Sequence, residues 1–66
     1  MRDWLKNKRI DKNLTQKDIA LQIGVTQQAI QFYENGGRRP SPRIAIKLGI
    51  ILNFDWTLFF HDSSTT

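Results

Sequence analysis

Apolar residues recur along this chain in steps of three and four, and glycine, proline and polar residues break that pattern into short blocks. The clearest block is TQKDIALQIGVTQQAIQFYE, residues 15–34. Thr15 stands just before a periodic run and Asp18 follows three positions later, the spacing in which each side chain satisfies a free amide of the first turn. Ile19, Ala20 and Ile23 then share one face of a helix. Gly24 suits the left-handed residue that ends a helix, and Val25 can pack back on the turn just closed. Thr26 is a second N-cap, Ile30 and Tyr33 form a buried edge, and Gln27, Gln28 and Gln31 face outward. Ala20 is small where the second helix must cross the first closely. Two short helices joined by a turn make a helix-turn-helix, with residues 27–34 as the segment shaped to enter a DNA groove.

The flanking pattern is helical throughout. Residues 2–13 contain good helix formers and neither Gly nor Pro, which predicts a first helix with Leu5 and Arg9 on one face and Ile10 beside them. Trp4 belongs at the core edge or partly in solvent. An arginine on an inward face needs a counter-charge, and Glu34 is the one acid between Asp18 and Asp55. An Arg9–Glu34 pair would tie the first helix to the third; the alternative places Arg9 on the surface with Lys6 and Lys8. Asn13 before Leu14 can end the first helix in a left-handed turn. After the third helix, Asn35-Gly36-Gly37-Arg38-Arg39-Pro40 reads as a loop. Ser41-Pro42 then starts a fourth helix over residues 42–52, with Ile44, Leu48, Ile51 and Leu52 on its apolar face. Gly49 inside that helix costs up to about 1 kcal/mol against alanine and points to close packing there. Asn53 ends it, Asp55 caps a short fifth helix, WTLFF, and HDSSTT follows as a polar tail.

Composition narrows the classes of function. Sixty-six residues make one domain near the lower limit for folding without staples. With no cysteine and a single histidine, His61, disulfides, thiolate metal sites and histidine clusters are excluded. No apolar run approaches a membrane span, and no secretory signal pattern is present. The net charge of +4 is unevenly placed: residues 1–13 carry +3 and residues 38–53 carry +4 with no acid. Two basic clusters beside a nearly neutral, glutamine-rich helix suit a polyanion; the same charges also describe a solvated surface that keeps a small protein soluble. Nothing resembles a catalytic constellation, a phosphate-cradling glycine motif or a cofactor box, so the chain reads as no enzyme, with no cofactor and no small-molecule substrate.

In their order and spacing, LTQKDIALQIGVTQQAIQFYENG, RRPSPRIAIKLGIILNF and DWTLFF resemble the Cro/repressor-type helix-turn-helix domain of lambdoid phages and the related Xre-like regulators, over about residues 5–60. The resemblance implies an all-α, compact five-helix lambda-repressor-like DNA-binding domain over residues 1–60, with residues 61–66 as the tail. It implies a cytoplasmic regulator that binds double-stranded operator DNA as a homodimer, mostly repressing transcription. Gln16 is similar to a family glutamine that braces the DNA backbone and abuts the recognition helix, and Gln27 and Gln28 fall where the family reads bases. Asn35, Arg38, Arg39 and Arg43 match the phosphate-touching loop and fourth-helix positions, and Arg9 and Glu34 match an ion pair seen in some members. Phe32 departs from the polar residue of several relatives and would instead meet a thymine methyl or a sugar. Ile46, Ile50 and Leu58 are apolar where family members are commonly polar.

A glutamine amide presents a donor and an acceptor side by side, which fits N6 and N7 of adenine in the major groove. The expected base-facing set is therefore Gln27, Gln28, Gln31 and Phe32, with Gln16, Thr26, Asn35, Arg38, Arg39 and Arg43 on the DNA backbone. One such unit reads only a few base pairs, so a dimer is needed for useful specificity. Phe54, Trp56, Leu58, Phe59 and Phe60 exceed what one face of a short helix can bury. With Phe54, Trp56 and Phe59 assigned to the core, Leu58 and Phe60 remain for the partner, or simply stay half-exposed. The rival reading is a protein-interaction module of antitoxin type that uses the apolar C-terminal helix.

Overall fold

The computed structural model describes residues 2–61. Four α-helices follow one another: α1 (Asp3–Asp11), α2 (Gln16–Ile23), α3 (Gln27–Asn35) and α4 (Pro42–Leu52), and a 3-10 helix (Trp56–Phe60) completes the described chain. Of the polar tail expected over residues 61–66, all but His61 lies outside the described residues. The fifth helical segment is thus present, as 3-10 rather than α. It has five residues, Asp55 closes its start by accepting from the Thr57 amide, and the amides of Leu58 and His61 reach back three residues to Asp55 and Leu58. So short a run between two such ends favours the tighter winding.

Capping side chains set most helix boundaries. Thr15 and Asp18 form the reciprocal box: the Asp18 amide donates to Thr15 Oγ1 at 3.0 Å and the Thr15 amide to Asp18 Oδ2 at 2.9 Å. Thr26 and Ser41 accept from the amides of Ala29 and Ile44, and Pro42 occupies the first turn of α4. At the far ends, Gly24 and Gly36 close α2 and α3 in left-handed backbone at φ +89° and +86°, and Asn13 and Asn53 adopt the same conformation without being glycine. Asparagine tolerates that region better than other residues with a side chain. The first helix starts one residue later than its pattern suggests, because Arg2 is non-helical (φ −101°, ψ 73°) and holds its amide against the Glu34 carbonyl at 2.7 Å.

The core is built from Leu5, Ile19, Ala20, Ile23, Ile30, Ala45, Leu48, Leu52 and Phe59. Every helix contributes, so none can bury its apolar face alone. Trp4, Phe54 and Phe59 form an edge-on aromatic trio with centroids 5.2–5.7 Å apart. Phe59 is fully buried, while Phe54 and Trp56 are half-buried against the core. Gly49 explains itself: a Cβ there would stand 2.7 Å from the Phe54 carbonyl oxygen and 3.2 Å from Trp56 Cβ. The turn into the 3-10 helix therefore rests directly on α4. Ile10, next to Arg9 on α1, is half exposed, while Leu5 is buried.

Candidate nucleic-acid interface

Glu34 is the hub of the inner face of α3. Arg9 meets it side-on, Nε to Oε2 at 2.6 Å and Nη2 to Oε1 at 3.2 Å, and both side chains are largely buried. Arg9 Nη1 also donates to the Leu14 carbonyl at 2.9 Å, and Gln16 Nε2 donates to Glu34 Oε1 at 3.2 Å. One carboxylate thus ties α1, α2 and α3 together. Among the described residues no buried side-chain nitrogen or oxygen lacks a partner, which is the condition for a buried charge pair to hold a fold.

With Ile30 and Glu34 facing inward, helical geometry places Gln28, Gln31, Phe32 and Asn35 in one stripe on the opposite side, at i, i+3, i+4 and i+7. Gln27, Gln28, Gln31 and Asn35 are exposed and Phe32 is half-buried. Gln27 and Gln28 occupy the first turn of α3 and, among the described residues, make no side-chain hydrogen bond. Both amide edges are free to pair with something outside the chain. Thr26 uses its oxygen as the cap and keeps its hydroxyl hydrogen.

The C-terminal end of α3 is more crowded. Gln16, Gln31, Glu34 and Asn35 line a polar surface groove of about 320 Å³ together with Asp3 and Lys6. Lys6 was expected only as a surface charge, and its place in this groove is visible only once α1 is docked. Asn35 Oδ1 accepts from the Gly37 amide at 2.8 Å, leaving its amino group outward. The Arg38 guanidinium lies 5.4 Å from the Phe32 ring centroid, and that of Arg39 lies 5.3 Å from the Phe60 ring. Phe32 is therefore partly covered by a cation of the loop, and it groups with the loop residues more than with the two glutamines. Arg43 stands exposed on the first turn of α4. Phe60, the partner of Arg39, and Leu58 are 37% and 38% exposed.

Arg2 was not anticipated as a functional residue. It is buried, and its Nη1 donates to the carbonyls of Tyr33 at 2.7 Å and Arg38 at 2.8 Å. Its acceptors are main-chain oxygens more than thirty positions away, so no periodicity or charge pattern marks it. Two carboxylates titrate below their ordinary range. Asp18 is lowered first by the Thr15 amide and then by the Thr15 hydroxyl, and Asp55 by the hydroxyl and amide of Thr57. Both act as helix caps. Among the described residues no group of acids and histidines converges where a metal could be held, and no helix is long and apolar enough to cross a membrane.

The profile of a helix-turn-helix family matches residues 5–59, from Leu5 at the start of the core to Phe59 at its centre. The chain is 42% identical over 62 residues to an uncharacterized HTH-type transcriptional regulator, YqaF, of Bacillus subtilis, an alignment covering 94% of this chain and 82% of the relative. It is 36% identical over 53 residues to one of Archaeoglobus fulgidus (80% and 75% covered), and 42% identical over 48 residues to one of Methanocaldococcus jannaschii (73% of each). No solved structure matches at the same stringency. Capped α2 and α3, the ion pair beneath them and a family match across nearly the whole domain agree, and the chain belongs to the Cro/repressor-type helix-turn-helix family of DNA-binding regulators.

Proposed function

We propose that this chain regulates transcription by reading double-stranded DNA with α3 in the major groove, as a homodimer on an inverted repeat, and that it represses. The observation that carries the reading is the asymmetry of α3: its inner side is held by Ile30 and the Glu34 hub, while Gln27 and Gln28 present unpaired amides. Gln27 and Gln28 pair with base edges. Gln31 and Phe32 extend the contact along the groove, with Phe32 offering its free edge to a thymine methyl or a sugar. Gln16, Thr26 and Asn35 donate to phosphates, and Arg38, Arg39 and Arg43 supply the charge that makes binding salt-dependent.

Leu58 and Phe60, beside Trp56, form the contact between protomers. Two copies joined there place their α3 helices one helical turn of DNA apart. Such a dimer, bound across a promoter in the cytoplasm, keeps polymerase from the same DNA. The names of the relatives support regulation of transcription.

Selection from a random pool of duplex DNA, followed by titration at two salt concentrations, tests the reading. An enriched inverted repeat with half-sites about 10 base pairs apart is the expected result. Weak binding with a steep salt dependence and no motif would overturn sequence-specific reading. Attention would then pass to a protein partner for residues 56–60. A monomer in sedimentation at high concentration would overturn the dimer.

A further inference from the structure

α3 has no basic residue in its own last turn, although the carbonyls of a helix's last turn lack intrahelical donors and favour a nearby cation. Arg2 supplies both from the start of the chain. Its backbone amide donates to the Glu34 carbonyl at 2.7 Å, and its Nη1 donates to the Tyr33 carbonyl at 2.7 Å. The same Nη1 donates to the Arg38 carbonyl at 2.8 Å, and the guanidinium carbon lies 5.4 Å from the Phe59 centroid. The Arg38 amide is bound in turn to the Phe32 carbonyl at 3.3 Å. Both main-chain groups of Arg38 are therefore fixed, one by α3 and one by Arg2. Arg39 follows directly, and its head rests over Phe60.

From this geometry we infer that Arg2 is a positioning residue for the loop over residues 36–40, setting the phosphate-directed share of DNA affinity and leaving base choice to Gln27 and Gln28. The inference rests on the DNA-binding reading above. A guanidinium at Arg2 donates along a flat edge while its face lies on Phe59. A lysine ammonium is a compact point charge with no face to stack. Arg2→Lys keeps the charge and loses the clamp, and Arg2→Ala loses both.

The test compares Arg2→Lys and Arg2→Ala with the unaltered chain, each shown to be folded at the assay temperature. Backbone ¹⁵N relaxation without DNA reports whether residues 36–39 stay ordered. Titrations over a series of salt concentrations use the selected duplex and an unrelated one. In Arg2→Lys, loop order parameters are expected to fall from about 0.85 toward about 0.6. Affinity for both duplexes falls by the same factor, on the order of tenfold, and the salt dependence flattens by about one to two phosphate contacts. The preferred sequence is unchanged, and adding Arg38→Ala costs less affinity than it does in the unaltered chain.

A merely structural Arg2 would lower the melting temperature with loop order and salt slope intact, and that result overturns the inference. A change of preferred sequence also overturns it. Should the unaltered chain bind no duplex, the DNA-binding reading falls on that titration alone. The relaxation data then still decide whether Arg2 holds the loop. If Arg2→Ala does not fold, Arg2→Lys carries every readout.

Discussion

The two ends of α3 are built on opposite plans. Its C-terminal half is fastened from three directions: Arg9 and Gln16 hold the Glu34 carboxylate, and Arg2 holds the Tyr33 and Glu34 carbonyls. Its N-terminal half carries the Thr26 cap and the buried Ile30, and Gln27 and Gln28 are exposed there with their amides unused. Hydrogen bonds to the rest of the protein are concentrated at one end, and unused hydrogen-bonding groups lie at the end proposed to meet DNA. A reading head needs both. A side chain already paired internally cannot discriminate bases, and an unfastened helix loses alignment with a groove.

The strongest way to break the contrast is to remove the hub. Glu34→Gln leaves the Arg9 guanidinium largely buried without its counter-charge and is expected to cost about 3–5 kcal/mol in urea denaturation. That is a large part of what a small domain has. Arg9→Met combined with Glu34→Leu should recover most of the loss, since a well-packed apolar pair avoids stranded charge. A cost below about 1 kcal/mol for Glu34→Gln would mean that the apolar core alone fixes α3.

Gly49→Ala is the control, because it lies at neither end of α3. Helix propensity alone favours alanine by up to about 1 kcal/mol. With a Cβ 2.7 Å from the Phe54 carbonyl oxygen, we expect a loss of about 1–3 kcal/mol instead. The preferred DNA sequence should not change. Stabilisation would show that the turn onto α4 can give way.

At the free end the expected signs reverse. Gln28→Ala should leave stability within about 0.5 kcal/mol, while costing about 1–3 kcal/mol of affinity for the preferred duplex and relaxing one base position. An unchanged motif after repeated selection would remove Gln28 from the reading set. Arg39→Ala should weaken binding to every duplex alike and reduce the salt slope by about one. The smallest effect concerns acid. Asp18 is held below its ordinary value of 3.8 by the Thr15 amide and hydroxyl, so its contribution to α2 is complete above that value. It is lost as pH falls through the lower, folded value. Asp18→Asn should flatten the fall of the melting temperature in that acid range.

Much of this arrangement is legible in the sequence because it is local. Thr15 with Asp18, Thr26, Ser41-Pro42, Gly24, Asn13 and Asn53 act on backbone within a few residues, so spacing alone reveals them. The Arg9–Glu34 pair is legible for another reason: an inward arginine had a single acid within reach. What stayed hidden is set by docking. Ile10 continues an apolar pattern that the fold leaves half in water. WTLFF reads as a short helix capped by Asp55, but its 3-10 winding is not marked in the sequence. Arg2 looks like one more surface charge until the Tyr33 and Arg38 carbonyls are brought to it.

The Glu34 hub also limits portability. The helix-turn-helix looks like a twenty-residue cassette, yet its anchoring carboxylate is neutralised by an arginine of α1, and Ile19, Ile23 and Ile30 are covered by the remaining helices. Cut out and grafted elsewhere, the cassette would carry a bare charge and an uncovered apolar face. Transplanting the proposed reading edge therefore means moving Gln27, Gln28 and Gln31 as substitutions into a recipient that already holds its own arginine and glutamate in register.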